Sequence, residues 1–234
     1  MEKKFTIVIP IFNEVESIFE LVEEINTVFK NNEFQILIVN DGSTDSFLQE
    51  SKIALFKNNI DVISHEYNKG KCAAMLTGVK NSKNSLICIM DGDGQNPPLE
   101  AKKMLNIWEK DNKSKFKILC GHRVERMDNL KKRISSKVAN YVRRLILKDN
   151  CFDTACALKV FRKVDYLKLD YFKNMHRFLP ALFISSGGKV INIPVSDRKR
   201  EKGVSKFNFN NRFWVGIIDL LKVLYFLKFK RRHK

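Results

Sequence analysis

Short β-rich runs alternate with longer amphipathic stretches through the first half of the chain. Phe5 to Ile9 is a strand-like run closed by Pro10. After Asn13-Glu14, apolar residues fall at Ile18, Leu21, Val22, Ile25, Val28 and Phe29, the spacing of a helix with one buried face. Gln35 to Val39 makes a second strand that ends in Asn40-Asp41-Gly42-Ser43-Thr44-Asp45, and a helical pattern follows for which Thr44 or Asp45 can serve as N-cap. Ile60 to Ser64 is a third short strand, followed by Asn68-Lys69-Gly70-Lys71 and the helix-prone Cys72 to Val79. Leu86 to Met90 is too short for a lone helix and is bounded by turn formers, so it reads as a buried strand. Pro97-Pro98 then starts a helix from Leu99 to Lys110, and Phe116 to Cys120 is another strand.

This alternation predicts an α/β fold with a parallel or mostly parallel sheet and helices on both faces. Ligands of such sheets bind beyond the carboxyl ends of the strands, where Pro10 to Glu14, Asp41 to Asp45 and Asp91 to Gln95 all lie. Three acidic loops therefore share one rim. Neither Gly-x-Gly-x-x-Gly nor Gly-x-x-x-x-Gly-Lys-Ser/Thr occurs, so no dinucleotide fingerprint or P-loop accounts for it. Asp91 and Asp93 are separated by Gly92 and followed by Gly94 and Gln95, a backbone able to aim both carboxylates at one centre. Hard oxygen ligands of this kind suit Mg²⁺ or Mn²⁺ held jointly with a phosphate. Asp-Gly pairs are also common turn formers, and on this segment alone a plain turn is the competing reading.

After Gly121 the pattern changes. Leu130 to Lys148 carries Leu130, Ile134, Val138, Tyr141, Val142, Leu145 and Ile146 on one helical face among many basic residues, which fits a core helix with a solvated basic face as well as it fits membrane or phosphate contact. A strand-like Ala157 to Phe161, helical pieces near Lys163 to Leu169 and His176 to Ser185, and a strand from Lys189 to Val195 follow. Arg198 to Lys206 is a basic, polar loop with a single glycine, Gly203. The run from Phe213 is slightly short of the ~20 apolar residues of a spanning helix and is interrupted by Asp219 and Lys222. An interfacial helix with a basic end is expected there, ahead of a packed core helix.

At 234 residues, with 44% hydrophobic and 29% charged composition, the chain suits one globular domain over 1–210 with an amphipathic basic tail over 211–234. The net charge of +17 predicts a polyanionic partner, whether nucleic acid, an anionic membrane surface or a phosphorylated substrate. Nucleic acid is set aside because no helix-turn-helix, zinc-finger or aromatic RNA-binding signature accompanies the charge. Five cysteines without a Cys-x-x-Cys pair are expected as free thiols rather than a zinc site. The N-terminal segment has neither the apolar length nor the cleavage site of a signal peptide, so the active domain is expected in the cytoplasm.

The ordered motifs resemble the family 2 glycosyltransferases, in the branch of dolichyl- and polyprenyl-phosphate sugar synthases. The resemblance rests on Val8-Ile9-Pro10-Ile11-Phe12-Asn13-Glu14, Val39-Asn40-Asp41-Gly42-Ser43-Thr44-Asp45, Asn68-x-Gly70-Lys71 and Met90-Asp91-Gly92-Asp93-Gly94-Gln95. It continues through Asp153 to Lys159, His176-Arg177-Phe178-Leu179-Pro180 and Arg200-x-x-Gly203-x-Ser205-Lys206. It implies a GT-A catalytic domain over 1–210, with a nucleotide-binding part (1–121) and an acceptor part (122–210), a nucleotide-sugar donor, a polyprenyl-phosphate acceptor and work at the cytoplasmic membrane face; a homo-oligomer stays open. By that likeness Asp91, Asp93 and Gln95 are metal ligands, and Pro10, Asn13, Glu14, Asp41, Gly70, Lys71, Asp91 and Gly92 line the donor site, with Asp41 facing the nucleobase. Arg200, Ser205 and Lys206 supply phosphate contacts from a loop that Gly203 lets close.

The implied acceptor is already an anion, so its oxygen can attack the anomeric carbon, with inversion, without a strong base. Asp91, Asp93, Asp153 and Arg200 are the catalytic candidates; Asp153 takes an orienting or basic role or is simply a buried structural carboxylate. Arg123, Arg133, Ser205 and Lys206 are the candidates for holding the acceptor phosphate. Two positions depart from the usual pattern: Gly94 stands where a bulky residue is common, and Ala157 where a glycine is. A glycan or protein acceptor is the alternative within the same fold.

Overall fold

The computed structural model describes residues 4–47, 49, 59–111, 116–124, 140–199, 219–225 and 227. The strands are β1 (Lys4–Ile11), β2 (Glu33–Asn40), β3 (Ile60–Ser64), β4 (Leu86–Ile89), β5 (Lys117–Arg123), β6 (Lys159–Arg162) and β7 (Lys189–Val195). The helices are α1 (Val15–Val28), α2 (Lys71–Asn81), α3 (Pro98–Lys110), α4 (140–147), α5 (Lys163–Leu167), α6 (Leu179–Ser185) and α7 (219–225), with a 3₁₀ turn at Met175–Arg177. Among the described residues the strands form one sheet in the order β3-β2-β1-β4-β6-β5-β7. Only β6 is reversed: it pairs antiparallel with both β4 and β5, while β1 is parallel to β2 and β4, β2 to β3, and β5 to β7.

Alternation along the strands sends side chains to two cores. Ile7 and Ile9 of β1, with Ile36 and Ile38 of β2, pack under α1 and α3 against Ile18, Leu21, Met104 and Trp108. Val8, Leu37 and Val39 point the other way, against Ala74, Met75 and Val79 of α2 and onward to Leu179 and Phe183 of α6. At Gly78 an added Cβ would lie 2.3 Å from Val8 Cγ1, so this glycine sets how closely α2 approaches the sheet.

Pro10 does not close β1, which runs on to Ile11. Within this parallel ladder Ile11 O accepts from Asp41 N on the β2 side and Val8 O from Met90 N on the β4 side. Pro10 therefore faces the β4 side, where pairing has already stopped at Val8 and Ile89, and its missing N–H is not needed.

One sheet holds strands from both sides of the boundary expected at residue 121, since β6 lies between β4 and β5 and β7 adds to it beyond β5. For the tail the sequence favours an interfacial helix over a packed one. In its described part Val223 and Leu227 are buried in the second core, Leu220 and Leu224 pack against it, and Asn174 Nδ2 donates to Asp219 Oδ2 at 2.9 Å. Docking has a hydrophobic cause, and it leaves Leu221 and Tyr225 facing outward. Among the described residues no helix is long and apolar enough to cross a membrane.

Candidate active site

The loops after β1, β2 and β4 lie side by side because the strands themselves do, and hydrogen bonds knit them together. Asn13, with φ of 51°, receives Thr44 N on its side-chain oxygen at 2.7 Å and donates its own N–H to Ser43 Oγ at 2.9 Å. Asp45 Oδ2 accepts from Val15 N at 3.1 Å, capping α1 from the neighbouring loop, while Asp45 Oδ1 accepts from Phe47 N at 3.3 Å. Ser17 Oγ donates to Gly92 O at 2.8 Å, fastening α1 to the Asp91 loop. A Cβ at Gly92 would fall 2.5 Å from Ile11 Cγ2 and 2.8 Å from Glu14 Oε2, so a larger residue must displace those side chains. Gly94 sits at φ +72° with open space around it; any side chain there is resisted by the backbone rather than by neighbours.

Asp41, at the end of β2, is buried. Its Oδ1 accepts from Lys69 N at 3.0 Å and lies 2.7 Å from His65 Nδ1, and its Oδ2 accepts from Gly70 N at 2.8 Å. The carboxylate thus pins the 65–70 segment and delivers Lys71 as the first residue of α2. His65 is a participant that sequence reading missed. Its Nε2 is 2.9 Å from Thr77 Oγ1, and nothing in the local pattern around it announces a partner 24 residues away.

Lys71 forms a hydrogen-bonded ion pair with Asp91. Burial alone would lower the pKa of its ammonium; Asp91 first, then Asp93 and Glu14, outweigh burial and raise it. The Lys71 ammonium thus touches Asp91 and lies in the field of Asp93 and Glu14, carboxylates of two rim loops. Asp93 Oδ1 accepts from Gln95 N at 3.2 Å. Gln95 in turn bonds Arg198 twice, through its carbonyl to Arg198 N at 2.8 Å and from Nε2 to Arg198 O at 3.3 Å. The Arg198 guanidinium makes a bidentate pair with Glu24 of α1, at 2.8 and 2.5 Å. Neither Arg198 nor Glu24 was a sequence candidate. Their contact joins residues 174 apart, beyond the reach of any local signal.

Because β6 runs in reverse, its start rather than its end lies at the rim, and this brings the Asp153 segment beside the ends of β5 and β7. Asp153 and Arg123 form a two-pronged pair, Nε to Oδ2 at 2.7 Å and Nη2 to Oδ1 at 3.2 Å, and Arg123 Nη1 lies 3.5 Å from Asp197. Burial would lower the Arg123 pKa, and these carboxylates, Asp153 foremost, more than reverse it. Arg123, expected as a phosphate ligand, is thus paired with carboxylates at the rim. Asp153 is the buried partner of that pair. Arg133, Arg200, Ser205 and Lys206 lie outside the described residues, as does Gly203.

Among the described residues no three His, Cys, Asp or Glu side chains form a ready metal cage. The donors present are hard oxygens on Asp91 and Asp93, with Glu14 nearby and a lysine ammonium among them. That set fits a divalent cation that completes its shell with phosphate and water, rather than one held by protein alone.

The profile of Glycosyl transferase family 2 matches residues 6–169. Dodecaprenyl-phosphate galacturonate synthase of Rhizobium johnstonii is 31% identical over 98% of this chain and 69% of its own length. Undecaprenyl-phosphate 4-deoxy-4-formamido-L-arabinose transferase of Photorhabdus laumondii is 29% identical over 88% of this chain and 64% of its own length. The chain thus spans about two thirds of the length of these relatives. Glucosyl-3-phosphoglycerate synthase from Mycobacterium tuberculosis, solved with UDP, superposes with a TM-score of 0.68 at 12% identity over 96% of this chain and 80% of that one. With Mn²⁺, UDP and glucosyl-3-phosphoglycerate bound, the same enzyme gives 0.62 at 12% identity over 85% and 73%. The architecture is GT-A, and the chain belongs to glycosyl transferase family 2.

Proposed function

We propose that the protein transfers a hexose-type sugar from a nucleotide sugar, a UDP-sugar or GDP-mannose, to a polyprenyl phosphate, with inversion, at the cytoplasmic face of a membrane. The observation that carries this reading is the Lys71 ammonium set among Asp91, Asp93 and Glu14 at the carboxyl rim, a position built for balancing charge around a diphosphate. The names of the two sequence relatives support the lipid-phosphate acceptor.

In this reading Pro10, Asn13, Glu14, Asp41, Gly70, Lys71, Asp91 and Gly92 line the donor site. Asp91, Asp93 and Gln95 hold the divalent cation, Mg²⁺ or Mn²⁺, a site supported by the Mn²⁺ and UDP of the superposed enzyme. When bound, the ion neutralises the departing nucleoside diphosphate. Lys71 adds a positive charge at the N-terminal end of α2, where backbone N–H groups also favour phosphate. Arg133, Arg200, Ser205 and Lys206 supply the acceptor contacts. The acceptor arrives ionised, and the pairing of Asp153 with Arg123 is consistent with a reaction that asks no strong base of the protein.

Purified protein is incubated with Mg²⁺, a short polyprenyl phosphate and a panel of nucleotide sugars, and products are read by mass. A lipid-phosphate sugar is expected with one donor, together with a fall of at least a hundredfold in rate for Asp91→Ala combined with Asp93→Ala. Equal turnover by that variant removes the metal-diphosphate site. Equal transfer to a soluble glycan removes the lipid acceptor.

A further inference from the structure

Helix α4 is turned the wrong way round for a soluble protein. Its apolar stripe faces out, with Tyr141 56%, Val142 42%, Leu145 59% and Ile146 41% exposed. Its inner face instead buries Arg143, beside Leu147. Arg143 is held there by Asp149, with Nε to Oδ2 at 2.9 Å, and by Asn140, Thr154 and the Cys151 carbonyl. Asp149 is fully buried and accepts from Cys151 N at 3.0 Å as well. A buried ion pair is a costly way to orient a helix, and its geometry leaves no rotation that would hide the stripe.

The apolar surface continues past the helix. Phe152, 46% exposed, lies under the Arg144 guanidinium at 5.1 Å and edge-on to His122 at 5.4 Å. His122 precedes Arg123 at the end of β5, so the stripe leads to the same rim as the candidate site. Arg144 and Lys148 flank it, no acidic residue occurs from 140 to 148, and the chain as a whole carries +17.

We propose that the outward face of α4, with Phe152, is the surface by which the protein docks on an anionic lipid bilayer. Apolar side chains framed by Arg and Lys match the boundary between acyl chains and negative headgroups. Docking here, rather than through the tail whose inner face is packed on the second core, sets the rim against the lipid. The proposal deepens the reading of a polyprenyl-phosphate acceptor. Its test involves no sugar transfer, so either idea can fail alone.

The test is flotation of the full chain with phosphatidylcholine vesicles, with and without phosphatidylglycerol. The wild type is expected to float with the anionic vesicles, and Leu145→Glu combined with Ile146→Glu to lose at least tenfold in partitioning at an unchanged melting temperature. Leu221→Glu combined with Tyr225→Glu, on the exposed side of α7, is expected to float like wild type. The proposal is overturned if the α4 variant still floats, if the α7 variant alone releases the protein, if the wild type never floats, or if the α4 variant changes only the sedimentation state of the protein, which would assign the stripe to a second copy.

Discussion

The carboxylate of Asp153 is 3% exposed and meets Arg123 through two hydrogen bonds, a geometry that stabilises only while both charges are present. Asp153→Asn leaves the guanidinium short of its main partner, and breaking a buried pair of this kind costs about 3 kcal/mol. Urea denaturation is expected to show that loss as a lower midpoint at unchanged slope. A residue serving only to take a proton would lower kcat and leave the midpoint where it was. Lys71 shows the opposite arrangement: the negative charges of Asp91, Asp93 and Glu14 outnumber it, a surplus that would draw a divalent cation in the proposed reaction.

Among the elements, the rim is organised by long-range bonds from side chains to backbone. Asp45 caps α1, Ser17 holds Gly92, and Asp41 holds the turn before α2. The Glu24–Arg198 pair extends this clasp to the segment after β7, because Arg198 carries the two bonds to Gln95. Both side chains of the pair are partly exposed, so their direct worth to folding is small, roughly 0.2–1 kcal/mol. Their worth to the site is larger. Glu24→Arg is expected to weaken Mn²⁺ binding in the presence of a nucleoside diphosphate about tenfold, read by electron paramagnetic resonance, with little change in melting temperature. Adding Arg198→Glu restores the pair and is expected to recover most of that affinity; no recovery means that the pair does not position Gln95.

Over the whole molecule, the two cores enclose the described cysteines, all five buried as free thiols. Burial, with a smaller contribution from Cys156, pushes the Cys88 thiol up to about 12, and burial first of all pushes Cys156 up to about 12. A raised thiol pKa favours the neutral form, so at pH 8 neither reacts as a thiolate until the fold opens. Iodoacetamide labelling of these two at pH 8 is therefore expected to follow global unfolding along a urea series; labelling in native buffer would contradict their burial. The alternation of strands and helices and the placing of three acidic loops on one rim were legible in the sequence because periodicity and turn chemistry act over a few neighbouring residues. The same local signals say which side chains favour burial but not whether they reach it. The reversal of β6, the commitment of Arg123 to Asp153 and the docking of Val223 and Leu227 are set by partners distant in the chain. The outward turn of α4 has a deciding contact between near neighbours, Arg143 on Asp149, but that interaction is strong only where tertiary structure has excluded water. Sequence alone determined the layered fold and which residue types stand at its rim; tertiary structure decided which charges there are paired and which surface faces the lipid in the proposed docking.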